Sequence, residues 1–226
     1  SNSGDMKKVS IIIPLYNLEK LIGKCIASAL AQDLSPEKYE ILVIDDGSTD
    51  GSLAAAEKAA LGHANVHVYA KPNEGLSRTR NYGTDRAAGK YVMYLDADDY
   101  LEPNILGRLV ETMECEGLDM LCFEIAGIDE NGNDFPLWSD GISARGGGEV
   151  QSGRDFLRRD CFLPMACAYV YDRTMLERHG LGMLPMRHED EEFTPRALYY
   201  AQRIQYLPVR VYNYLQRSDS FMGNYK

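Results

Sequence analysis

The chain has 226 residues, of which 45% are hydrophobic and 26% charged. These values exclude a disordered polymer and suit one α/β domain with a substantial core. Lys and Arg number 24 against 34 Asp and Glu, a net charge of -10; such an acidic chain has no footprint for a nucleic-acid backbone, so no nucleic acid is expected as a partner.

Val9–Ile13 is a short β-branched run ended by Pro14 and reads as a buried strand. Leu18, Leu21, Ile22, Cys25, Ile26, Ala29 and Leu30 recur at helical spacing, which predicts an amphipathic helix. Glu40–Ile44 is the next strand, and the Ala-rich 53–61 stretch a helix. Val66–Tyr69 is a third strand. Leu76–Ala88 reads as a helix closed by Gly89 in the left-handed conformation. Tyr91–Leu95 is a fourth strand, a helix with Pro103 in its first turn runs to about Glu116, and Met120–Ile125 is a fifth strand.

Alternating strands and helices, with strands apolar on both faces, predict a mostly parallel central sheet flanked by helices. After residue 126 the pattern changes. Asp129–Asp134 reads as a hairpin turn, and the Gly-rich 144–153 stretch as a mobile loop. A short helix is expected over 153–162, a strand over 166–171, and a helix over 174–179 capped by Gly180. Glu189–Ala201 is helical, with Pro195 near its start or at a kink, and 205–214 is extended. The second half is expected to add to the same sheet.

The five cysteines are odd in number and contain no CxxC pair, so neither a disulfide framework nor a zinc site is indicated. Reduced thiols and the lack of a membrane-span-length apolar run point to a cytoplasmic setting. Ser1–Asp5 is polar and reads as an addition ahead of Met6.

In parallel sheets ligands bind at the carboxyl ends of strands. The polar clusters fall there: Tyr16-Asn17, Asp45-Asp46 and Asp96-Ala97-Asp98-Asp99. Clustered carboxylates need a compensating cation or hydrogen bonds, and hard oxygens suit Mg²⁺ or Mn²⁺ completed by substrate phosphates. The alternative is a solvated loop in which Asp99 caps the helix after Pro103. At Asp45–Asp50 a base-contacting carboxylate competes with a plain helix cap by Ser48, Thr49 or Asp50. Asn73–Asn81 opens a helix and carries Arg78 and Arg80, which suits an anion. His188–Phe193 is a carboxylate run; by spacing alone it is a solvated helix start. No GxGxxG or GxxxxGK[ST] motif occurs, which counts against dinucleotide-binding and P-loop readings.

The ordered set VSIIIPLYN (9–17), EILVIDDGSTDGS (40–52), NEGLSRTRNYG (73–83), YVMYLDADDYLEP (91–103) and HEDEEF (188–193) resembles glycosyltransferase family 2, across nearly the whole chain. The resemblance implies a single GT-A domain over 1–226. A Rossmann-like, nucleotide-sugar-binding half would span 6–125 and an acceptor-side half 126–226. It implies inverting transfer of a sugar from a nucleoside-diphosphate sugar, a UDP-sugar by family habit, to a saccharide or lipid-linked saccharide in bacterial surface polysaccharide synthesis. Pro14 and Tyr16 would line the base pocket, Asp46 would contact the base and Arg80 would lie near the nucleotide. Asp96 would touch the ribose, Asp98 would hold Mn²⁺ or Mg²⁺ on the diphosphate, and Asp190 would be the acceptor base, with Glu189 and Glu191 as competitors. The terminal 214–223 stretch resembles a segment that closes over the diphosphate, with Arg217 as its contact. Many relatives continue well past the position of Lys226 with membrane-associating segments, so peripheral association with the inner membrane face through a missing C-terminal region is expected. The competing readings are a binding protein that lost turnover and a sugar-phosphate nucleotidyltransferase. The latter carries a Gly-rich basic loop near its N-terminus, whereas Ile13 here leads into PLYNLEK.

Overall fold

A computed structural model describes residues 6–217. One sheet runs through the molecule in the order β3-β2-β1-β4-β8-β6-β9-β5, with β7 paired to β6. The strands are β1 (Val9–Leu15), β2 (Tyr39–Asp46), β3 (Val66–Lys71), β4 (Tyr91–Tyr94), β5 (Tyr100–Leu101), β6 (Met120–Ile128), β7 (Asp134–Phe135), β8 (Tyr169–Asp172) and β9 (Ile204–Leu215). The long ladders, β3 with β2, β2 with β1, β1 with β4 and β6 with β9, are parallel. The short ones, β8 with β4 and β6, β5 with β9 and β7 with β6, are antiparallel. The expected parallel sheet is present, and the second half joins it through the reversed strand β8.

The helices are α1 (Ile22–Leu30), α2 (Ser52–Ala60), α3 (Leu76–Arg86), α4 (Leu106–Glu116), α5 (Gly153–Arg158), α6 (Arg173–Arg178) and α7 (Glu189–Tyr200). β1 and β2 are buried along their whole length, as strands covered on both faces must be.

Several elements differ from expectation for local reasons. β1 continues through Pro14 to Leu15, because β4 pairs only with Val9–Ile12 and leaves the proline on a one-sided ladder. α3 ends at Arg86 with Ala87 extended. Gly89 is no left-handed cap; a Cβ there would sit 2.5 Å from the Ser10 amide nitrogen. α4 starts at Leu106, after Asn104 at φ 56°. Its first amides are capped from a distance: Gln32 Oε1 accepts from Ile105 and Leu106, and Asp33 Oδ1 from Gly107. Asp99 is therefore not that helix's cap. The 144–153 stretch is pinned rather than loose: Gly146 is buried and its carbonyl accepts from Gln151 and Arg159. Pro195 lies inside α7.

α5 and α7 approach so closely that a Cβ on Gly153 would collide with the Leu198 carbonyl. Gly153→Ala is expected to destabilise the fold by about 3 kcal/mol or more. Thermal unfolding should show this as a fall of roughly 6–10 °C; a fall under about 2 °C would mean the helices separate without loss.

Candidate functional site

The turns after β1, β2 and β4 lie together at one end of the sheet, and side chains stitch the first two to one another. Asn17, at φ 49°, accepts the Thr49 N–H (2.8 Å) and gives its own N–H to the Ser48 hydroxyl (3.0 Å). The Ser52 hydroxyl accepts from Leu18 N–H, and Asp50 Oδ1 accepts from Ser52 N–H. The N-cap of α2 is Gly51, with no side-chain cap, so none of Ser48, Thr49 and Asp50 fills that position; Asp50 instead holds Ser52, the first residue of the helix, from one residue before the cap. Pro14 is buried at the floor of this end, and Tyr16 beside it is half-buried.

Asp46 is at the expected strand end, but it faces the following loop. Its Oδ1 accepts from Lys71 Nζ (2.8 Å) and Glu74 N–H (2.8 Å), and its Oδ2 from Gly75 N–H (3.0 Å). The Asp46 side chain is fully buried. It shapes the 72–75 loop, so any base contact would be made by a carboxylate that already carries these three donors.

Arg80 departs most from expectation. Of the two arginines near the start of α3, Arg78 is exposed while Arg80 is 2% exposed. Its guanidinium binds three carboxylates from distant parts of the chain: Asp96 Oδ1 at 3.0 Å, Glu189 Oε1 at 2.9 Å and Asp190 Oδ1 at 2.6 Å. Arg80 is a buried hub for these three carboxylates. One helical turn on α7 thereby joins the end of β4.

The His188–Phe193 run is sorted by helix geometry. His188 takes the left-handed conformation at φ 54°, and α7 begins at Glu189. Glu189 and Asp190 point inward to Arg80, Glu191 is exposed, and Glu192 pairs with Arg196 at 2.7 Å. Asp190 Oδ2 also accepts the Ala166 N–H at 3.0 Å. Behind them Tyr94, Tyr171 and Phe193 pack with ring centroids 5.6–6.4 Å apart and fix α7 against β4 and β8. Burial acts to raise the Asp190 carboxyl, but the Arg80 charge and hydrogen bonds from Glu189, Ala166 and Arg80 hold it below the usual carboxylate range. Glu189 goes the other way: burial and the adjacent Asp190 push it up to about 7.

The carboxylates of the three aspartates after β4 have different partners. Asp96 faces Arg80, and its N–H donates to the Tyr212 hydroxyl at 3.1 Å. Asp99 accepts from the same hydroxyl (2.5 Å) and from Leu215 N–H (2.9 Å). Asp98 Oδ2 lies 3.0 Å from Arg217 Nε, with side chains 2% and 6% exposed. Arg217 thus stands at the aspartate cluster, where a diphosphate contact was expected; residues 218–223 of that stretch lie outside the described residues. A cavity of about 260 Å³ adjoins the pair, lined by Leu21, Lys24, Asp98, Tyr100, Glu130 and Arg217 among others. The sequence reads Tyr212 as core or a subsite wall, and it is fully buried; Lys71 escapes sequence reasoning, since a lone lysine at a strand end carries no motif.

Among the described residues no three His, Cys, Asp or Glu side chains converge as a ready cation cage. One carboxylate plus substrate phosphates is nonetheless a sufficient donor set for Mg²⁺ or Mn²⁺, and Asp98 offers a hard oxygen at the cavity edge. The residues fit such an ion on condition that a diphosphate supplies other ligands. Among the described residues no helix is long and apolar enough to cross a membrane.

Residues 10–179 match the sequence profile of "Glycosyl transferase family 2". The chain is 32% identical over 215 residues to the uncharacterized glycosyltransferase EpsJ of Bacillus subtilis (strain 168), covering 94% of this chain and 62% of that one. Its fold matches S. aureus TarS 1-349 in complex with UDP-GlcNAc at a TM-score of 0.80 and 26% identity, over 96% of this chain and 61% of that chain. It also matches the mannosyltransferase PcManGT of Pyrobaculum calidifontis, solved with GDP-Man and Mn²⁺, at a TM-score of 0.70 and 19% identity; the match covers 96% of this chain and 59% of that one, and shows the shared GT-A fold. The chain thus spans a little over three-fifths of the length of EpsJ and of TarS 1-349. With the family's motifs seated at one end of a GT-A sheet, the chain belongs to glycosyltransferase family 2.

Proposed function

We propose that this chain is the catalytic part of an inverting glycosyltransferase, which moves a sugar from a UDP-sugar to a hydroxyl of a saccharide or lipid-linked saccharide acceptor in bacterial surface polysaccharide synthesis. The observation that carries the reading is the Arg80 hub, which sets the inward carboxylates of α7 against the strand end bearing Asp96 and Asp98. A donor-side cluster and a basic carboxylate thereby share one rigid frame, as an in-line displacement requires.

In this reading the base stacks over the β1 and β2 ends, with Pro14, Tyr16 and the loop shaped by Asp46 as its walls. Asp96 orients the ribose, Arg217 contacts the diphosphate and Asp98 holds Mn²⁺ or Mg²⁺. The ion, when bound, neutralises charge growing on the leaving diphosphate. Asp190 takes the proton of the acceptor hydroxyl as that oxygen attacks the anomeric carbon from the face opposite the leaving group. Arg80 keeps Asp190 ionised at neutral pH, and Glu189 beside it is poised to share the proton. The support for a uridine donor is the likeness to TarS, solved with UDP-GlcNAc.

Calorimetric titration of UDP, with and without Mn²⁺ and with GDP as comparison, tests the donor side. UDP is expected to bind more tightly with Mn²⁺, and Asp98→Ala to lose that metal dependence. Preference for GDP would keep the fold and change the donor class, while metal dependence surviving in Asp98→Ala would remove Asp98 from its role.

A further inference from the structure

The metal-site carboxylate already has a cation on it. Arg217 follows β9 by two residues, and the backbone leading to it is held in place: Leu215 N–H donates to Asp99 and Gln216 N–H to the Ile128 carbonyl at 2.8 Å. From that fixed point the guanidinium reaches Asp98 Oδ2 at 3.0 Å, and both side chains are almost wholly enclosed. The neighbouring carboxylates have other counter-groups, Arg80 at Asp96 and the Tyr212 hydroxyl at Asp99. The aspartate that Arg217 pairs with at ion-pair distance is thus the one expected to hold the metal.

We propose that Arg217 is the internal counter-ion of the metal carboxylate, so that a divalent cation gains Asp98 only when the diphosphate of the nucleotide draws Arg217 away. This rests on the donor-site reading above and adds to it an order of events. A guanidinium prefers a diphosphate, which offers more charge and paired oxygens for its fork. A divalent ion prefers a compact carboxylate oxygen completed by phosphates. Two ion pairs therefore form where one was broken, and the negative cluster is never left without a cation. An Asp98 carboxylate open only a tenth of the time would weaken a competing ion by about tenfold. Metal and nucleotide would then strengthen each other's binding reciprocally. The enclosed pair also bridges the β4 turn to the end of β9, so the exchange would loosen the cavity wall beside Lys24 and Tyr100 as the ligand enters.

The test is binding alone, in the wild type, Arg217→Gln and Asp98→Asn. Mn²⁺ affinity is measured by electron paramagnetic resonance of the free ion, without UDP and with it, corrected for Mn²⁺ held by free UDP. Arg217→Gln is expected to move the two ligands in opposite directions: Mn²⁺ alone tighter by about tenfold, and UDP in the presence of Mn²⁺ weaker by about tenfold. Mere loss of local structure would weaken both. Unchanged or weaker Mn²⁺ binding by Arg217→Gln, with Asp98→Asn abolishing it, would overturn the counter-ion role and leave the donor-site reading standing. Mn²⁺ bound equally well by Asp98→Asn would overturn both.

Discussion

Replacing Arg80 by Gln is expected to cost the protein both stability and turnover. The guanidinium is 2% exposed and within 3.0 Å of three carboxylates from β4's end and α7. Removing one partner of a buried charge network leaves the others uncompensated, a loss of about 3–5 kcal/mol. In a domain of this size that is roughly a 10 °C fall in Tm. Arg80→Lys keeps the charge but cannot fork to three acceptors, so part of the stability should return while transfer stays low. The pH dependence carries the sign. Asp190 is held below its ordinary range in the folded protein, so its contribution is present above the unfolded carboxylate value and lost as pH falls through the folded one. Without the Arg80 charge that loss should begin at higher pH. The acid limb of the transfer rate should shift upward with it. An Arg80→Gln protein that melts within about 2 °C of the wild type, with an unmoved acid limb, would show that the hub is dispensable.

Arg80 also marks where the sequence stops being informative. The strand ends, the order of β and α elements through residue 125 and the clustering of motifs at one pole follow from periodicity and turn chemistry. These are local signals, and β2 running into Asp45-Asp46 is one of them. Which way a side chain turns at a motif is not local. Arg78 and Arg80 are two residues apart on α3, so they point to different sides of the helix; only the position of α7, more than 100 residues later, decides that Arg80 is the buried one. The same holds for Asp46, whose carboxylate meets Lys71 and the 74–75 amides, and for α4, whose cap comes from Gln32 and Asp33. Gly89 shows the converse. A glycine after a helix reads as a left-handed cap, yet here it clears the Ser10 backbone of a neighbouring strand, a contact that no spacing along the chain encodes.

Asp190→Asn is expected to reduce the transfer rate by about 10³-fold, while UDP affinity stays within about twofold. The amide keeps the size of the carboxylate and one oxygen for the Ala166 N–H or for Arg80, while its NH2 faces the other donor; some stability is lost, but Asp96 and Glu189 still hold Arg80 and the donor side is left in place. What disappears is the only function the donor side does not need, a negative oxygen able to take a proton. Glu189 is the competitor that geometry leaves open, because it shares Arg80 and contacts the same neighbour, whereas Glu191 is turned outward. The two can be separated by pH. Glu189 is pushed up to about 7 from an ordinary value of 4.5, so the folded state holds a proton that the unfolded state has released over that window. Its contribution to stability therefore declines as pH rises from 4.5 to about 7. Glu189→Gln removes that decline and should stabilise the protein relative to the wild type at about pH 8 more than at about pH 4.5. If Glu189 only tunes and shares the proton, its Gln variant should lose about tenfold in rate and flatten the profile near about pH 7. Should Glu189→Gln instead abolish transfer while Asp190→Asn retains most of it, the base is Glu189, and Asp190 is the anchor that Arg80 and the Ala166 amide hold in place.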